Sequence, residues 1–207
     1  MNVRFAQPSR EDIPKIAFLD FEGASLYADS YPIEIGWCGI DPNQSKSMLI
    51  KPHGSWEGRT WSPDAEAVHK IPRATLAAKG VEAGEAWAIA KRWLGRAKVF
   101  SDAPSWEQHW LNELAVAAGE RCAIKIEAVE TLWGSIARRR RMEPSKLLAL
   151  VGQARQTFKA PHRAAPDAAR LAKITLFIED AQWREEILRK RGTKTAPIQL
   201  GLFDQKA

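Results

Sequence analysis

The sequence is poor in what builds disulfide-stapled or membrane-bound proteins. Its 207 residues include two cysteines, Cys38 and Cys122, far apart and each in an apolar setting. That pattern excludes a disulfide framework and a cysteine-rich zinc site, and it reads as two reduced thiols of a cytoplasmic protein. No apolar run near the N-terminus is long enough for a signal peptide or a membrane span, so no membrane partner is expected. No segment repeats. Acid is missing from one stretch: between Arg138 and Arg163, eight Lys and Arg accompany a single carboxylate, Glu143. This stretch carries +7 and the rest of the chain nets −1, within an overall charge of +6. So one-signed an excess points to a polyanionic partner. Arg138, Arg139, Arg140, Arg141 and Arg163 are its candidate contacts.

The remaining composition, 45% hydrophobic and 27% charged, is that of an ordinary globular chain able to bury one core. Ile16–Glu22 is a short apolar strand, Pro32–Ile40 alternates as a second, and Ser45–Lys51 is a third beyond the Asp41-Pro42-Asn43 turn. Short loops between them predict an antiparallel meander. Asp64–Lys70 reads as a short helix after Pro63, and Glu82–Leu94 as a helix with Trp87, Ala90 and Leu94 on one stripe. Ala97–Ser101 is a fourth strand and Cys122–Ala128 a fifth. Between them lies an amphipathic helix over Ser105–Ala118, opened by the Ser105-x-x-Gln108 capping box and closed by Gly119. The chain to Arg191 is helix-rich. Strands first, then strands alternating with helices, predict an α/β fold with a mixed five-stranded sheet flanked by helices. Of the nine tryptophans, Trp87, Trp93 and Trp110 fall on helical stripes and read as core. Trp56 and Trp61, in a loop, read as the exposed ones available for stacking.

Two groups of residues carry chemistry. Asp20 and Glu22 sit two apart at the end of an apolar strand, so both leave the same face of the sheet. Carboxylates there are costly unless a positive charge meets them, and a hard divalent cation fits. His162, five residues before Asp167 at the mouth of a helix, sets a proton acceptor beside a carboxylate.

Together these segments resemble the DEDDh (DnaQ-like) 3′→5′ exonucleases of the RNase H-like superfamily. Phe18-Leu19-Asp20-Phe21-Glu22 resembles the first motif, and His162–Ala168 resembles the third, H-x-A-x-x-D-A, in every fixed position. Ala67-Val68-His69-Lys70-Ile71 is similar to a helix that follows the third strand in these proteins, where His69 reads as structural. The second motif departs from the pattern. Trp106 takes the aromatic place and Glu107 that of the acid, one methylene longer than the usual Asp, while Asp102 stands where Asn is usual. The resemblance implies an RNase H-like fold and two divalent ions, Mg²⁺ or Mn²⁺. It implies Asp20, Glu22, Glu107 and Asp167 as ligands, with Asp102 the alternative to Glu107, and His162 as proton acceptor. Leu19, Phe21 and Gly23 would lie against the terminal nucleotide. DNA is the expected substrate, with RNA and a catalytically weak nucleic-acid-binding module as the alternatives. Several relatives dimerise, but no homodimer interface is legible here.

The catalytic domain is expected over residues 1–191, with a polar tail over 192–207. In the tail, Gln199-Leu200-Gly201-Leu202-Phe203 closely resembles the pentapeptide that docks the bacterial sliding clamp. Leu202 and Phe203 would enter an apolar pocket while Gln199 and Leu200 set orientation. Recruitment to the clamp implies proofreading or repair of DNA.

Overall fold

Alternating side chains set the first strand between two hydrophobic cores. The computed structural model describes residues 15–192. In β1 (Ile16–Gly23), Ala17, Leu19 and Phe21 enter one core while Phe18 enters the other. β2 (Pro32–Cys38) and β3 (Lys46–Leu49) add antiparallel strands on one side of β1. On the other side β4 (Lys98–Ser101) and β5 (Ile126–Ala128) lie parallel to it. The order is β3-β2-β1-β4-β5.

Helices cover both faces. α1 (Pro63–His69), α2 (Arg73–Lys79), α3 (Ala83–Leu94) and α4 (Pro104–Ala117) follow the meander and flank β4 in sequence. Trp87, Ala90, Leu94, Trp110 and Leu114 from α3 and α4 bury against Leu19, Phe21 and Val99. α5 (Val129–Arg139), α6 (Pro144–Thr157), α7 (Ala164–Glu179) and α8 (Ala181–Lys190) build the second core. α7 lies on β1 and β2 and buries Leu171, Ile174, Phe177 and Ile178, each contributing about 1.5–3 kcal/mol. A buried polar pair within this core is satisfied: Trp133 donates its indole N–H to Thr175 Oγ1 at 2.9 Å.

The expected meander, mixed sheet and helix order are all present. Two expected elements differ in their bounds or capping, and one helix is new. Helix α4 begins at Pro104, whose missing N–H suits a first helical position, so Ser105 lies inside the helix and no capping box forms. The fifth strand is confined to Ile126–Ala128, because β4 offers only a short parallel partner. Helix α2 was not legible in the sequence. Trp56 is also corrected: it is 1% exposed and stacks on Tyr31 at 5.3 Å, so no base can reach it. Trp61 is half-buried and donates to Glu66 at 2.8 Å. The pentapeptide Gln199–Phe203 lies outside the described residues.

Candidate active site

The period of β1 that sends Leu19 and Phe21 into the first core turns Asp20 and Glu22 toward α7. Opposite Asp20 in the β2 register is Gly36. A Cβ there would lie 2.2 Å from the backbone carbon of Ala164, so only glycine lets the start of α7 settle onto the sheet. That approach delivers Asp167, in the first turn of α7, to the two strand carboxylates. Oxygens of Asp20, Glu22 and Asp167 all lie within 4.8 Å of one another. Glu107, in the first turn of α4, lines the same cavity as these three and is 2% exposed. Asp102 stands at the rim, 3.5 Å from the Arg170 guanidinium. All five acids line one cavity of about 630 Å³, together with His162, Arg170 and Trp106.

This arrangement is electrostatically unfavourable without a cation. Burial pushes Asp20 well up from the ordinary carboxylate range, and Glu22, Asp167 and Asp102 push it further. Glu107 is raised by burial first and by Asp20 next. Glu22 is raised to about 8 by burial and by Glu34 and Asp167, against the lowering effect of Arg163. Burial also raises Asp167, although the Arg163 N–H opposes it. Two buried acceptors, Glu107 Oε2 and Asp167 Oδ1, find no hydrogen-bond partner among the described residues. Hard oxygens, excess negative charge and unpartnered lone pairs suit a divalent ion such as Mg²⁺ or Mn²⁺.

A pH dependence follows. The folded protein without metal holds protons that the unfolded chain releases. The stability from this source is fully present at low pH and is lost as pH rises toward about 8, where Glu22 ionises. The melting temperature of the metal-free protein is expected to fall between about pH 5 and 8.5, and added Mn²⁺ to raise it most at the upper end. Melting curves across that range check this; a midpoint indifferent to Mn²⁺ throughout would count against a cation site.

Glu34 organises the third segment and was missed in the sequence. Buried in β2 beside Glu22, it accepts from Arg163 Nε and Nη2, each at 2.9 Å, from Ala164 N at 3.2 Å and from Ser47 Oγ at 3.0 Å. Arg163, the N-cap of α7, has no side-chain cap of its own, so Glu34 supplies one from a strand 130 residues away. The Arg163 N–H donates in turn to Asp167 Oδ2 at 3.1 Å. His162, just before this anchor, is exposed and held in the left-handed region at φ 55°, a conformation costing about 1 kcal/mol or more outside glycine. The available sign was a single carboxylate in the otherwise apolar run Pro32–Cys38, every residue of which is buried.

Other expected contacts divide. Phe21 and Gly23 line the cavity, whereas Leu19 is fully buried and does not. Exposed Leu26, Tyr27 and Val68 line the cavity and were missed. Arg163 is committed to Glu34, and Arg138, Arg139, Arg140 and Arg141 lie away from the cavity. His69 lines it, with Nδ1 accepting from Ile71 N at 3.0 Å.

The sequence matches no protein-family model, and no curated protein sequence matches it. Solved structures do match. Exonuclease I superposes with a TM-score of 0.58 at 12% identity, over 86% of this chain and 43% of that chain. E. coli exonuclease I in complex with a dT13 oligonucleotide gives 0.55 at 12% identity, over 83% of this chain and 42% of that one. The nuclease domain of 3′hExo, a DEDDh family member bound to rAMP, gives 0.57 at 12% identity, over 80% of this chain and 92% of that domain. The chain thus spans less than half of the exonuclease I chains and most of the 3′hExo domain. Its fold is the α/β RNase H-like fold of these nucleases.

Proposed function

We propose that this chain is a metal-dependent 3′→5′ exonuclease acting on DNA. One observation carries the reading: three distant chain segments converge to put four carboxylates in one cavity, Glu107 and Asp167 buried and Asp20 and Glu22 half-buried, with a histidine on its rim. Asp20, Glu22 and Asp167 would hold two divalent ions, with Glu107 rather than Asp102 as the fourth ligand. Glu107 has an unpartnered buried oxygen, whereas Asp102 is engaged by Arg170. The ions supply charge neutralisation at the scissile phosphate and the leaving 3′ oxygen. His162, exposed at the rim, accepts the proton of the attacking water. Phe21, Gly23 and Trp106 line the cavity and would contact the terminal nucleotide. The likeness to exonuclease I bound to an oligonucleotide supports single-stranded DNA as substrate.

The test is digestion of 5′-labelled single-stranded DNA and RNA with Mg²⁺ or Mn²⁺. Stepwise shortening from the 3′ end with release of nucleoside 5′-monophosphates is expected, faster on DNA. Faster trimming of RNA would move the assignment to the other sugar. Binding without any trimming would leave a nucleic-acid-binding module.

We also propose that Gln199, Leu200, Leu202 and Phe203 dock a bacterial sliding clamp, which supports a role in proofreading or repair; the pentapeptide sequence carries this reading. Removing residues 192–207 is expected to abolish clamp binding in a pull-down and to leave the trimming of short oligonucleotides within about twofold, since a tether acts through local concentration. Clamp binding that survives the deletion would refute the assignment.

A further inference from the structure

The cavity is a poor place to hold a polyanion. Its six acids outweigh the two arginines near them, and of those Arg163 is spent on Glu34 and Arg170 on Asp102 and the Phe158 carbonyl. Two divalent ions held there would serve the scissile phosphate, and affinity for the rest of a phosphate backbone has to come from elsewhere on the surface.

The α5–α6 turn provides it. α5 ends on Arg138 and Arg139, Arg140 caps it, and Arg141 takes a left-handed φ of 50° that turns the chain toward Pro144. All four arginines and Lys146 are exposed. Arg139 pairs with Glu179, and Arg138 donates to Ser135 Oγ at 3.0 Å. Arg140, Arg141 and Lys146 form no ion pair among the described residues. A helix C-terminus is served by one or two cations, so this turn holds more positive charge than capping needs.

Its position relative to the cavity follows from the helices. Arg155 near the end of α6 pairs with Glu130 at the start of α5, so the two helices run antiparallel and the arginine turn lies at their far end. Glu179, the partner of Arg139, closes α7 twelve residues after Asp167. At 1.5 Å per residue that places the turn about 18 Å from the acid cluster. Between Pro144 and Pro166 the chain contains no acidic residue, so α6 and the loop into His162 offer Lys146, Arg155 and Lys159 and no carboxylate of their own.

We propose that the Arg138–Arg141 turn, with Lys146, is a second nucleic-acid contact, which holds backbone phosphates of a strand whose 3′ end lies at the acid cluster. This rests on the exonuclease reading above. At a stacked rise of 3.4 Å per nucleotide, a strand reaches the turn about five nucleotides upstream of its end. Substrates shorter than that meet only the cavity.

The experiment compares the full chain with its triple variant Arg138→Gln, Arg140→Gln, Arg141→Gln, which keeps Arg139 for Glu179. Each digests 4- and 15-nucleotide single-stranded DNA with Mg²⁺ over a range of salt. The variant is expected to trim the 4-mer at the wild-type rate, within about twofold, and to lose about tenfold in kcat/KM on the 15-mer. The slope of log affinity for the 15-mer against log salt should become shallower by about 2, at about 0.7 per lost contact on single strands. Equal losses on both lengths, or none on the 15-mer, would overturn the proposal. If neither protein trims DNA, the exonuclease reading has failed. The salt slope of 15-mer binding then decides alone: shallower in the variant supports the contact, unchanged refutes it.

Discussion

Asp20→Asn is expected to lower the proposed exonuclease rate by at least about a thousandfold, or ~4 kcal/mol of transition-state stabilisation, while making the metal-free protein harder to melt. Both effects have one cause. Asp20 is central to the acid cluster, pushed up by burial and by Glu22, Asp167 and Asp102 together. Asparagine keeps the shape and removes one charge of a like-charged set, which relieves repulsion in the empty site and deprives a cation of a ligand. The midpoint at about pH 8 should rise by a few degrees, at about 2–4 °C per kcal/mol for a chain of this size. The stabilisation by Mn²⁺ should shrink at the same time. Melting curves with and without Mn²⁺, beside digestion rates, check it. A variant that is both inactive and less stable would mean that Asp20 serves the fold and not a metal site.

Glu34→Ala will act in the opposite sense on stability, lowering it by about 2–4 kcal/mol and the digestion rate by at least about tenfold. The substitution leaves the Ala164 N–H without an acceptor at the mouth of α7 and frees Arg163 from two charge-assisted bonds. Arg163 is 44% exposed and regains water, which holds the loss below that of a fully buried ion pair. With the anchor gone, His162 and Asp167 lose the fixed relation to β1 that the site needs, and placement errors near 1 Å cost rate steeply. Glu34→Gln, which can still accept from Ala164 N and Ser47, should fall between Ala and wild type. Chemical denaturation and digestion of a short oligonucleotide measure both effects. A wild-type rate in the Ala variant would show that β2 does not position His162 and Asp167 for the proposed reaction.

Much of this was legible one residue at a time. A period of two in Ile16–Gly23 put Asp20 and Glu22 on one face, and the same period holds in the sheet. The His162–Asp167 spacing at a helix mouth was equally local, since helix geometry alone sets it. Local rules failed where a neighbour outside the segment decided. The capping box at Ser105 yielded to Pro104, and Trp56 left its polar loop to stack on Tyr31. Residues 71–81 hold a two-turn helix that was not read, although Pro72 and Gly80 flank it.

The succession of strands and helices along the chain and the placing of Asp20 and Glu22 on one strand face were therefore legible in the sequence alone, because periodicity and spacing act over a few residues. Which acid of the second segment faces the cluster was decided by packing. α4 lies against β1 so that Glu107 is buried at the cavity and Asp102 is left to Arg170 at the rim. The bond from Glu34 to the start of α7 and the remoteness of the arginine turn are likewise tertiary facts. Each joins parts of the chain separated by tens of residues or more, and only sheet order and helix packing bring such parts together or hold them apart.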